Sequence, residues 1–96
     1  MDKERIVQKL NELLPALREK YRVSRVGLFG SYARGEARSG SDADILVEFS
    51  EPIGLLKFLE LESYLSDALG IRVDLVSKKA LKPTIGKRIL KEVINI

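Results

Sequence analysis

The sequence contains no cysteine and no histidine. The first absence excludes disulfides and thiolate metal sites. The second removes the commonest zinc ligand and the usual general base, so any metal or acid–base chemistry falls to carboxylates. Aromatic residues are scarce, at 6%. No apolar run approaches the roughly 18 residues of a membrane span, and no signal peptide is visible, so the expectation is a soluble cytoplasmic protein. What remains is ordinary for a globular chain: 45% hydrophobic and 32% charged over 96 residues. That length suits one domain, residues 1–96, with a single core and no room for a second, substrate-binding domain.

Charge is unevenly distributed. Residues 77–96 carry six lysines or arginines against one acid, while residues 1–76 carry eleven against thirteen. The basic segment can attract nucleotide phosphates, nucleic acid or an acidic partner, or form a solvated helix face. No aromatics interleave with these charges, which argues against direct nucleic-acid binding.

Apolar spacing predicts the elements. Asp2 caps a first helix in which Ile6, Val7, Leu10, Leu13, Leu14 and Leu17 recur at helical intervals, with Pro15 expected to kink it. Val23–Phe29 reads as a strand entering a Gly30-Ser31 turn, with one helical turn over Tyr32–Glu36 and a polar loop to Ser41. Ala43–Phe49 is a second strand, with Ala43, Ile45, Val47 and Phe49 on one face and Asp42, Asp44, Leu46 and Glu48 on the other. A helix over Leu55–Leu69 is expected to bury Leu55, Leu56, Leu59, Leu65 and Leu69, and Gly70 stops it. Phe58, Leu61 and Tyr64 fit a partner surface or the core, with the core the better reading for most of them. Ile71–Val76 is a third strand, a helix runs from Pro83 to about Glu92, and Val93–Ile96 adds a short strand. The order describes a small α/β sheet covered by helices.

Within that frame, Gly30-Ser31-Tyr32-Ala33-Arg34-Gly35 and Ser41-Asp42-Ala43-Asp44 stand out. Side chains at i and i+2 of a strand share a face, so Asp42 and Asp44 project together beside a small-residue turn. Paired hard oxygen ligands beside a phosphate cradle suit Mg²⁺-dependent phosphoryl or nucleotidyl transfer; in the latter, two ions roughly 3.5–4 Å apart stabilise the attacking and leaving oxygens. Gly30 lets backbone approach a phosphate, and Ser31 offers a hydroxyl and an N–H. Arg34 can neutralise a triphosphate or pair with Asp42 or Glu36. Asp74, opposite Val73 and Leu75 on its strand, can supply a third carboxylate, with Arg72 on the same face as a possible ion-pair partner. Taken singly, each feature has a plain structural explanation. Two acids planted in two strands are costly together unless they share a cation.

This constellation resembles the signature of the DNA polymerase beta-like nucleotidyltransferase superfamily, and in length and pattern its minimal nucleotidyltransferase branch, over nearly the whole chain. The resemblance implies that family's fold, a small mixed sheet packed with helices. It implies ATP as substrate and two Mg²⁺ ions, with Gly30 and Ser31 binding nucleotide and Asp42, Asp44 and Asp74 as catalytic metal ligands; Arg34 joins the nucleotide-binding set on its charge and position. It further implies an antitoxin that transfers AMP to a tyrosine hydroxyl of a HEPN ribonuclease toxin, the two proteins forming a hetero-oligomer that alone would touch nucleic acid. The alternative is an antitoxin that neutralises its partner by binding, its nucleotide site vestigial.

Overall fold

The computed structural model describes residues 1–96. Helix α1 (Lys3–Tyr21) starts where the Asp2 side chain accepts the Arg5 N–H at 2.9 Å, satisfying one of the orphan donors of its first turn. The helix runs uninterrupted through Pro15, which lies on its exposed side, and buries Ile6, Leu10, Leu17 and Tyr21. Strand β1 (Val23–Phe29) leads into a short helix α2 (Gly30–Arg34), which begins two residues before the turn expected at Tyr32–Glu36. Strand β2 (Ala43–Phe49), helix α3 (Leu55–Leu69), strand β3 (Val73–Ser77), helix α4 (Pro83–Glu92) and the two-residue strand β4 (Ile94–Asn95) follow. A 3₁₀ turn over Lys78–Ala80, which the apolar spacing did not signal, links β3 to α4.

The strands form one mixed sheet in the order β3-β2-β1-β4. β1 is antiparallel to β2 and β4, whereas β2 and β3 run parallel and α3 makes the crossover between them. Both faces of the sheet are covered. On one side α1 and α3 pack onto Val26, Leu28, Ala43, Ile45, Val47, Val73 and Leu75 in the main core. On the other, Ile89 of α4 meets Phe29 and Leu46 in a second, smaller cluster. The chain leaving α4 reaches the sheet closely because Gly27 of β1 has no side chain: a Cβ there would lie 2.5 Å from a methyl of Val93. No helix is long and apolar enough to cross a membrane.

The edge strand β3 is protected by α3. Its outward N–H groups at Val73 and Leu75 donate to Ser66 Oγ (3.0 Å) and Glu62 Oε2 (2.8 Å), so two rungs that could recruit a foreign strand are occupied.

The apolar face of α3 differs from the expected one. Leu61, Leu65 and Leu69 are buried, and Phe58 and Tyr64 pack at the core margin. Leu55, Leu56 and Leu59 are instead 73%, 83% and 49% exposed. The buried leucines recur at steps of four residues, a single stripe; Leu55, Leu56 and Leu59 fall beyond the arc that the sheet covers.

Candidate active site

β1 and β2 together create the turn that opens the site. Phe29 ends β1 in extended conformation, and Gly30 follows at φ 75°, in the left-handed region. The antiparallel register sets Phe29 opposite Asp44, which brings Gly30 against the Asp44 side chain. A Cβ on Gly30 would overlap the Asp44 carboxylate, with Asp44 Cγ only 2.9 Å away. Glycine is therefore required twice, by dihedral and by space.

The three predicted acids come together through the sheet. Asp44 and Asp74 are direct partners in the parallel β2–β3 register, and Asp42, just before β2, lines one cleft with Asp74 and lies close enough for its charge to act on Asp44. Asp44 is half-buried; Asp74 is exposed. Burial, then the neighbouring charges of Asp74 and Asp42, push the Asp44 carboxyl above its ordinary value. This is the electrostatic condition of a site short of positive charge. No ion pair forms between Arg72 and Asp74, although both line one cleft of about 540 Å³ with Asp42 and Leu59. Asp44 opens into a neighbouring cleft of about 380 Å³ with Gly30, Ser31, Arg34, Arg88 and Glu92. A larger cleft of about 610 Å³, lined by Glu48, Phe58 and Lys78 among others, lies toward the other end of β2 and contains none of the predicted site residues.

The carboxylates do not close on a common point as an all-protein metal cage. That arrangement still fits Mg²⁺, which is commonly held by one or two carboxylates together with substrate phosphates. The repulsion at Asp44, which Arg34 only partly offsets, is what such an ion would relieve, and the all-oxygen donor set suits it.

Arg34 does not pair with Asp42. Its Nε donates to Glu36 at 2.9 Å and its Nη1 to Glu92 Oε2 at 3.0 Å. Glu92 Oε1 also accepts the Gly30 N–H at 3.1 Å. The Arg34 guanidinium, ahead of the Gly30 N–H, holds the Glu92 carboxyl below its ordinary value, against the opposing effect of burial. Glu92 and Arg88 line the cleft that holds Asp44, and the motif reading named neither. Their one signal was compositional, since Glu92 is the single acid in the basic stretch 77–96.

The profile of the nucleotidyltransferase domain matches residues 10–96. The chain belongs to that family. It is 56% identical over 80 residues to the protein adenylyltransferase MntA of Thermococcus cleftensis, an alignment covering 83% of this chain and 81% of that protein. A solved structure assigned as a minimal nucleotidyltransferase superposes with a TM-score of 0.85 at 41% identity, over 100% of this chain and 97% of that one. The fold recurs, at 23% identity and a TM-score of 0.70, in a structure of a tri-AMPylated Shewanella oneidensis HEPN toxin in complex with its MNT antitoxin, over 94% of this chain and 70% of that one. This minimal nucleotidyltransferase thus has the fold that its Gly-Ser and Asp-x-Asp motifs implied.

Proposed function

We propose that this minimal nucleotidyltransferase is a protein adenylyltransferase and antitoxin, transferring AMP from ATP to a tyrosine hydroxyl of a HEPN ribonuclease partner. The observation that carries the reading is the β2–β3 register, with Asp44 beside Asp74 on one side and against the Gly30 turn on the other. The family supports nucleotide chemistry, and the name of the Thermococcus relative supports a protein acceptor.

In this reading Gly30, Ser31 and Arg34 hold the triphosphate. Ser31 is half-buried and lines the same cleft as Asp44 and Gly30, which places its hydroxyl to donate to a phosphate. Asp42, Asp44 and Asp74 would hold two Mg²⁺ ions, which when bound supply charge stabilisation at the attacking and leaving oxygens. The tyrosine oxygen forms a bond to the α-phosphorus, the bond from that phosphorus to the bridging oxygen breaks, and pyrophosphate leaves with those electrons. Asp74, the most exposed of the three acids, orients the hydroxyl and accepts its proton.

A macromolecular acceptor also accounts for the exposed row Leu55, Leu56 and Leu59 on α3, because Leu59 lines the cleft that holds Asp42 and Asp74. The test is co-expression with a HEPN protein encoded beside it, followed by intact-mass and fragment analysis of that partner. AMP on a tyrosine, absent when Asp44→Asn protein is used, is the expected result. An unmodified partner in a stable complex supports neutralisation by binding alone.

A further inference from the structure

The cradle assigned to the triphosphate already contains an anion from the protein itself. Glu92, at the end of α4 and 62 positions from Gly30, accepts the Gly30 N–H at 3.1 Å. It also accepts Arg34 Nη1 through both oxygens, at 3.0 and 3.3 Å. One neutral backbone donor and one guanidinium prong on a single oxyanion group is how a phosphate oxygen would be held there. The carboxylate is a surplus acid in a cleft that also contains Asp44, and its charge adds to the repulsion at Asp44. Arg88, one helical turn earlier on the same face of α4, lines this cleft without forming an ion pair.

We propose that Glu92 occupies the seat of a nucleotide phosphate, so that α4 sets the affinity of the site: the triphosphate displaces the carboxylate, and Arg88 joins Arg34 in binding it. This rests on the nucleotide reading above. The exchange needs little rearrangement of Arg34, because its Nε stays on Glu36 at 2.9 Å while Nη1 passes from carboxylate to phosphate. The triphosphate carries more charge than a carboxylate and competes for the same two donors. When pyrophosphate leaves, Glu92 returns to the seat.

Calorimetric titration of the full chain with ATP, tripolyphosphate and adenosine, each with Mg²⁺, tests this. Glu92→Gln removes the competing charge at nearly constant shape, and Glu92→Ala removes the group. Both are expected to tighten ATP and tripolyphosphate by about tenfold, roughly the value of one charge-assisted hydrogen bond, and to leave adenosine unchanged. Arg88→Ala is expected to weaken the two phosphate probes by a similar factor. If both Glu92 variants bind ATP no better than wild type, or worse, Glu92 is a brace for Arg34 and the inference is overturned while the nucleotide reading stands. If wild type and variants alike bind neither ATP nor tripolyphosphate, the nucleotide reading falls and takes the inference with it.

Discussion

Asp44→Asn is expected to stabilise this protein while abolishing its chemistry. Asp44 lies level with Asp74 across the β2–β3 pair and two residues from Asp42, whose charge also acts on it. Directly opposed like charges on neighbouring strands destabilise by roughly 0.2–1 kcal/mol, and half-burial of the Asp44 carboxylate adds to that. Asparagine matches aspartate in shape and removes the charge, for a gain of about 1 kcal/mol near neutral pH. For a domain of this size that raises the melting temperature by about 4–8 °C. The sign follows from linkage. The Asp44 carboxyl is raised in the folded state from an ordinary value of 3.8, so the wild-type penalty is absent below that value and is complete above the raised one. The advantage of the Asp44→Asn variant is therefore full near neutral pH and vanishes in acid below about pH 3.5. Thermal unfolding followed by circular dichroism, with a chelator present, reads both limits. AMP transfer by the same variant is expected to fall by at least about 100-fold, some 2.7 kcal/mol of transition-state stabilisation. A variant that melts at or below wild type near neutral pH, or a gain that persists in acid, refutes the reasoning.

Gly30→Ala is expected to cost about 1–3 kcal/mol in urea unfolding and to abolish ATP binding, because the new Cβ is strained at φ 75° and overlaps the Asp44 carboxylate. Leu61→Ala, at a fully buried position, is expected to lose about 2–5 kcal/mol, whereas Leu56→Ala, 83% exposed, changes stability by less than about 0.5 kcal/mol and weakens capture of the partner. Stripping divalent metal with a chelator is expected to stop AMP transfer, and Mg²⁺ to restore it without refolding, as seen by an unchanged circular dichroism spectrum.

Much of this architecture was legible in the sequence because local and global signals agree. β1 and β2 have their expected bounds, Val23–Phe29 and Ala43–Phe49, as does α3, where Gly54 and Gly70 flank a continuous helical pattern. Whether β3 neighbours β2 was left open by the sequence; the strand order and the α3 crossover supply that pairing and set Asp74 beside Asp44. What could not be read depended on the geometry of packing. Leu55, Leu56 and Leu59 match the core leucines chemically, and only the arc of α3 pressed on the sheet separates them. Strand β3 begins at Val73, two residues later than its apolar run, because pairing with β2 starts at Ala43. Arg34 had two acidic candidates nearby in sequence, yet it bonds Glu92, 58 positions away, along with Glu36. That contact exists because α4 folds back over the far face of the sheet, where Ile89 meets Phe29 and Leu46. Neither motif nor periodicity contains that information.

The most direct test of the account is label transfer to the co-purified partner from ATP carrying radioactive phosphorus at the α position, run beside ATP labelled at the γ position. The partner band is expected to be labelled from α only, with Mg²⁺ present, and Asp44→Asn to give no band. A band labelled from γ identifies a phosphotransferase, and no band from either nucleotide with the partner fully bound and unmodified contradicts adenylyl transfer.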